Sequence, residues 1–234
     1  MQNEETPSKA GILLIDKPSD WTSHDIINVA RTCLGIRKIG HSGTLDPLAT
    51  GLLVLLVGRA ATKLQDQYLK LPKTYQAKAL LGEETDTWDA HGEIINTAPI
   101  PDITQEDILK AAEEMTGTFE HTVPVYSAKK FNGLPMYKLA REGREVTEKT
   151  AKITVYKWAD VSYEKPYINF TVTCSSGTYV RSLAHTLAKK LGSCAHLAGL
   201  RRTEVGGFDI KEAITVEQLR TLPQEILFDK IKEV

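Results

Sequence analysis

Residues 36–63 read I-R-K-I-G-H-S-G-T-L-D-P-L-A-T-G-L-L-V-L-L-V-G-R-A-A-T-K. One carboxylate, Asp46, lies there among Arg37, Lys38, His41, Arg59 and Lys63. Gly40 and Gly43 mark a loop, because glycine tolerates the backbone angles of tight turns. Pro47 follows Asp46 and biases it towards an extended conformation. Gly51 then opens the apolar run 52–57, which reads as a buried strand. The pattern is a single carboxylate on a stiff loop beside a core strand, ringed by cations that favour its ionised form. A rigidly held carboxylate serves as a nucleophile or as a base. The plainer alternative is an Asp-Pro turn with no chemistry.

At 234 residues, 41% hydrophobic and 25% charged, the composition is that of an ordinary globular protein. No apolar run approaches the roughly 20 residues that cross a bilayer, so no membrane association is expected. The polar, acidic start M-Q-N-E-E-T-P-S-K resembles neither a signal nor a transit peptide, and residues 1–9 read as a disordered tail. Cys33, Cys174 and Cys194 are widely spaced and form no C-x-x-C pair. Buried thiols in a reducing cytoplasm are expected, with no disulfide framework and no zinc site.

The net charge of -1 hides strong segregation. Residues 29–63 hold five Lys/Arg against one Asp, and residues 127–157 hold eight against three acids. Residues 171–203 hold five Lys/Arg and no acid, whereas residues 82–121 hold one Lys against eleven acids. A chain near neutrality can thus present a basic face to a polyanion.

Along the chain, residues 11–16 read as a strand ended by the turn 17–20. Ser23 is placed to cap a helix with Asp25 in its first turn and Gly35 as its stop. Residues 73–81 alternate as a strand with Tyr75 near its start. Residues 82–92 form an acidic loop; Asp86, Asp89 and His91 lack the spacing of a calcium loop, so no metal is expected. Residues 104–115 read as a helix with Thr104 and Asp107 as capping box.

Residues 123–143 interleave Tyr126, Lys129, Lys130, Phe131, Tyr137, Lys138 and Arg141, with Arg144 just beyond. This mix suits base stacking and phosphate contact, and Pro135 suits the first turn of a short helix ending at Gly143. Residues 152–161 and 167–175 alternate as strands. Residues 178–191 follow as a helix stopped by Gly192. Arg181 sits in its first turn, where the helix dipole disfavours a cation. Its position needs another reason, and Asp46 is the candidate partner. His185 and His196 have no evident partners. A final strand near 207–210 and a short helix at 216–220 close the chain.

The segment G-H-S-G-T-L-D-P-L-A-T-G, residues 40–51, resembles the signature of the TruB family of tRNA pseudouridine synthases. Further matching stretches stand in the family's order: Asp16-Lys17-Pro18, Thr22 to Asp25, Lys73-Thr74-Tyr75, Thr85-Asp86-Thr87, Tyr126 to Lys129, Cys174 to Arg181 and Leu200 to Thr203. The resemblance implies an α+β pseudouridine synthase fold, a mixed and mostly antiparallel sheet flanked by helices with a central catalytic cleft, over residues 10–234. It implies conversion of one uridine in the T loop of tRNA, at tRNA position 55, to pseudouridine. It implies Asp46 as nucleophile, Tyr75 against the target base and Arg181 paired with Asp46. His41 would support flipped-out nucleotides, Tyr179 and Leu200 would line the uracil pocket, and Lys17 would steady the site. Arg59, Lys63, Lys129, Lys130, Lys138, Arg141, Arg144, Arg201 and Arg202 would meet the RNA backbone.

The reaction breaks the N1 glycosidic bond, turns the uracil and rejoins it through C5, so neither cofactor nor metal is expected. Asp46 would attack C1′ or assist proton loss from C2′; both routes stay open. Many bacterial relatives continue into a small C-terminal RNA-binding domain, which is not expected here. The expected partner is the T-stem loop of tRNA, with no obligate protein. Two other functions stay open from sequence: an RNA-folding chaperone, and a guided subunit acting with partner proteins.

Overall fold

The computed structural model describes residues 9–127, 130–131, 134–136 and 149–234. In chain order the first elements are β1 (Gly11–Lys17), α1 (Ser23–Leu34), β2 (Ile39–His41), β3 (Thr50–Val57), α2 (Gly58–Lys63), α3 (Gln65–Lys70) and β4 (Lys73–Leu81). Then come β5 (Glu83–Thr85), β6 (Ile94–Thr97), α4 (Gln105–Glu113), β7 (Gly117–Val123), β8 (Lys130–Phe131), β9 (Leu134–Pro135), β10 (Lys149–Glu164) and β11 (Tyr167–Cys174). The last are α5 (Val180–Lys190), β12 (Ala195–Val205), β13 (Phe208–Asp209), β14 (Ile214–Thr215), α6 (Val216–Thr221) and α7 (Gln224–Asp229). Among the described residues ten strands belong to one mixed, mostly antiparallel sheet, and helices accompany it; this is the expected α+β class. The chain clusters into two compact units, Met1–Tyr75 with Arg201–Val234, and Gln76–Leu200.

The first unit is built on β3. Every residue from Gly51 to Val57 is buried, which is why this stretch is apolar throughout rather than alternating. β1 runs antiparallel to it, from Gly11 opposite Val57 to Lys17 opposite Gly51. β14 adds in parallel beside β1, and β2 pairs antiparallel with β3. Ile12, Leu14, Leu52, Val54 and Leu56 pack with Ala61 and Val205 on one face. The alternate residues Leu13, Ile15, Leu53 and Leu55 are equally buried, so both faces are covered. Each such side chain contributes about 1.5–3 kcal/mol.

α1 starts one residue earlier in its cap than expected. Thr22, not Ser23, is the N-cap, and Asp25 closes the capping box on it. Thr22 carries the same hydroxyl chemistry and sits three residues before the acid, the spacing the box needs. Gly35 closes the helix in the left-handed region, as its place in the sequence suggested.

In the second unit β11 and β10 form a long antiparallel hairpin, and β7 extends it on the other side of β10. β4 alternates buried and exposed residues along its length. α5 buries Val180, Leu183, Ala184 and Leu187. α4 carries the Thr104–Asp107 capping box that the sequence indicated. The acidic segment is not wholly a loop: β5 pairs antiparallel with β6, a hairpin hidden by its many charges. β12 was missed as well, because its polar C-terminal half lacks a strand's alternation. Pro135 ends β9. The helix expected beyond it lies outside the described residues, as do residues 1–8 of the expected tail.

Candidate active site

Asp46 is half-buried on the loop that joins β2 to β3. That loop is fixed at nearly every residue. The Ser42 amide donates to Val54 O at 3.0 Å. The Gly43 amide donates to His41 Nδ1 at 3.2 Å. The hydroxyl of Ser23 accepts from the Leu45 amide at 2.9 Å and donates to Leu45 O at 3.3 Å. The Ala49 amide closes a turn onto Asp46 O at 3.0 Å. Pro47 O accepts from the Asp20 amide at 2.9 Å and from Lys17 Nζ at 3.2 Å.

Lys17 has no exposed surface and also donates to Pro18 O at 2.9 Å and Trp21 O at 2.7 Å. Burial lowers its pKa to about 8, against the raising effect of Asp20 and Asp46. His41 is pushed below its ordinary value by burial, and further by Arg202 and His24. A neutral His41 fits its geometry, because Nδ1 must carry a lone pair to accept from Gly43. Tyr75, on β4, is 8% exposed.

Arg202 corrects an expectation. It was read as an RNA-backbone contact, yet it is 1% exposed and cannot reach a phosphate. Its guanidinium donates to Leu52 O at 2.7 Å, Gly43 O at 3.1 Å and Thr44 O at 3.5 Å. Parallel pairing sets Arg202 opposite Gly51. A β-carbon on Gly51, whose φ is 102°, would stand 2.2 Å from Arg202 O, so only glycine fits. The neighbouring Arg201 is half-buried and engages Asp16 bidentately, at 3.1 and 2.7 Å. Strand alternation separates the two arginines: β12 turns one inward and leaves the other at the surface.

In the second unit Arg181 is 4% exposed. It donates to Thr87 O at 2.7 Å and Tyr126 O at 3.0 Å, and its Nη1 lies 3.6 Å from Asp89 Oδ2. In the sequence Asp89 reads as part of an acidic loop, weighed with Asp86 and His91 as a metal ligand and set aside. Its Oδ1 accepts from Thr87 Oγ1 at 2.8 Å and from the His91 amide at 3.1 Å, which folds the segment around the guanidinium. The Arg181 position at a helix start thus has a carboxylate nearby within its own unit. Tyr179 is the N-cap of α5, and its carbonyl lies 3.0 Å from His121 Nε2. Leu200 and the Tyr179 side chain are half-buried.

His185 does have a partner: Nε2 lies 2.7 Å from Glu84 Oε1, and its ring stacks on Trp88 at 4.3 Å. His196 Nδ1 lies 3.2 Å from Leu197 O. Of the other basic candidates, Arg59 and Lys63 are exposed on α2. Lys129, Lys138, Arg141 and Arg144 lie outside the described residues. Lys130 is described only through its backbone pairing in β8. Among the described residues no three His, Cys, Asp or Glu come together as metal ligands, and no helix is long and apolar enough to cross a membrane.

This architecture is shared with a solved Cbf5-Nop10-Gar1 complex, at TM-score 0.72 and 25% identity, over 96% of this chain and 60% of that one. The chain spans that 60% of the neighbour's length. Residues 31–180 match the model of the TruB family pseudouridylate synthase (N terminal domain). Residues 181–230 match the tRNA pseudouridylate synthase B C-terminal domain, although no C-terminal domain was expected from the sequence. Fold and match together define a pseudouridylate synthase. Similar relatives are tRNA pseudouridine synthase B of Syntrophotalea carbinolica, 43% identical over 92% of this chain and 70% of that protein, and of Opitutus terrae, 44% identical over 91% and 88%. The chain belongs to the TruB family, and it is an isomerase.

Proposed function

We propose that this protein converts uridine to pseudouridine in tRNA, at position 55 of the T loop, with Asp46 as the catalytic carboxylate. The observation that carries the reading is the Asp46 loop itself: a half-buried carboxylate whose neighbours are held by Lys17, Ser23 and Arg202. Such fixation keeps a reacting group in a near-attack position without ordering it anew each turnover. The relatives' name, tRNA pseudouridine synthase B, supports tRNA as the substrate.

In the reaction the N1–C1′ bond breaks, the uracil turns, and a C5–C1′ bond forms. The C5 proton leaves and N1 gains one, so the net change is an isomerisation. Asp46 acts at the sugar, either on C1′ or at the C2′ proton. Tyr75 lies against the base, and the buried Arg181, fixed beside Asp89, supplies positive charge. Lys17 and His41 steady the loop and the everted nucleotides, and Tyr179 and Leu200 bound the uracil. Extruding the uridine costs a few kcal/mol. Cations such as Arg59 and Lys63 offset this by binding phosphates.

The test is mass spectrometry of a bare tRNA transcript incubated with the pure protein and no added component, then treated with a reagent that adds mass to pseudouridine alone, because the isomerisation itself changes no mass. Pseudouridine at the T-loop uridine is expected with wild type and none with Asp46→Asn. Wild-type yield from Asp46→Asn overturns the assignment of Asp46. Product only at other uridines overturns the site in tRNA.

A further inference from the structure

We propose that Arg202 is a positioning residue for catalysis, holding the Asp46 loop from its buried side. This rests on the reading of Asp46 as the reacting group. Three facts of geometry carry it. First, Arg202 is 1% exposed, and its described hydrogen-bond partners are all backbone carbonyls. Second, those carbonyls are not scattered. Gly43 O and Thr44 O belong to the loop, whereas Leu52 O belongs to β3, so one rigid fork ties the loop to the central strand. Third, the arginine's backbone is held as well, because it pairs with Gly51, where an added β-carbon would stand 2.2 Å from Arg202 O.

A guanidinium presents five donors in a fixed plane, and three of the bonds here use that geometry at once. A point charge on a flexible stem cannot replace them. The opposite support comes from Ser23 at Leu45 and Lys17 at Pro47, one residue to each side of Asp46. Arg202 supplies the third anchor, two and three residues earlier. Its role is therefore exerted on kcat through loop position rather than on RNA affinity through charge.

The experiment compares wild type, Arg202→Met, Arg202→Lys and Asp46→Asn on a tRNA transcript, with kcat and KM measured separately. In parallel, amide hydrogen exchange is followed over residues 43–49. Arg202→Met is expected to lower kcat roughly 10²-fold, the scale of an ångström-level misplacement, with KM unchanged. Arg202→Lys is expected to recover little of that loss. Exchange over the loop is expected to quicken in both variants while the rest of β3 stays protected. A raised KM with normal kcat would make Arg202 an RNA contact and overturn the proposal. So would unchanged exchange over the loop. Should Arg202→Met fail to fold, Arg202→Lys and Arg202→Gln, which each keep a single donor nitrogen in place of the three-nitrogen fork, carry the same comparison. If Asp46→Asn proves active, the reading of Asp46 fails, and loop exchange alone then decides whether Arg202 holds the segment.

Discussion

Ser23 grips Leu45 from both sides, its hydroxyl accepting from the Leu45 amide at 2.9 Å and donating to the Leu45 carbonyl at 3.3 Å. The first residue of α1 thereby fixes the residue before Asp46. Ser23 is free to do this because Thr22 takes over the capping of the helix. Ser23→Ala leaves the Leu45 backbone without either partner in a buried place. The expected cost is about 1–3 kcal/mol, seen as a fall in Tm of roughly 2–12 °C for a chain of this size. Turnover should fall at the same time with KM for tRNA unchanged. Equal stability and activity in the variant would show that the loop keeps its place without this bond.

Arg181 and Asp89 give a second expectation. Arg181 reaches two carbonyls and a carboxylate from one buried position, which a lysine cannot copy. Arg181→Lys should therefore lose most activity despite keeping the charge. Asp89→Asn should also lower kcat, because the guanidinium then loses its nearby negative charge while the turn at Thr87 is largely kept. Single-turnover rates on a tRNA transcript check both. Full activity of the lysine variant would remove geometry from the role of Arg181.

Much of this was readable from residues alone, and the failures share a cause. The buried run of β3, the capping box at Thr104 and the stop at Gly35 are local signals, set by neighbours in sequence. The Asp46 loop was legible because glycine, proline and one acid stand in a fixed order. Arg202 was misread because nothing adjacent to it announces that it turns inward. Its partners Gly43 and Leu52 are distant in the chain and become neighbours only when β12 pairs with β3. Asp89 stood out only as a rejected metal ligand for the same reason, since its neighbour Arg181 lies on a helix far along the chain. β5 and β6 were hidden by surface charges that say nothing about backbone pairing.

Exposed and buried cations should separate cleanly in salt dependence. Arg59 and Lys63 lie exposed on α2. Replacing either by alanine should weaken tRNA binding and reduce the slope of log K against log salt by about 0.7–0.9 per lost phosphate contact. The rate at saturating tRNA should stay at the wild-type value. Binding isotherms at several salt concentrations check this. An unchanged slope would take α2 out of the RNA surface.

Lys17 makes stability depend on alkaline pH. Its folded pKa is about 8 against 10.5 for an ordinary lysine, chiefly through burial. The folded state therefore binds fewer protons than the unfolded state between those two values, so the Lys17 contribution becomes more favourable as pH rises. Below pH 8 the ammonium is charged in both states, and the cost of burying it is fully present. Across the window the gain is roughly 3 kcal/mol. Urea unfolding of wild type and Lys17→Met from pH 7.5 to 10.5 should show the difference moving in favour of wild type. A difference that stays flat would mean that Lys17 titrates normally.

The bond from Arg202 to Leu52 joins residues 150 positions apart. A ribosome that has finished β3 still needs roughly 8–30 s to deliver the arginine. Until then the segment carrying Asp46 lacks one of its anchors. The Asp46 loop thus acquires its full set of anchors late in synthesis, and a nascent chain halted within Gln76–Leu200 would carry that loop without its bonds to Arg202.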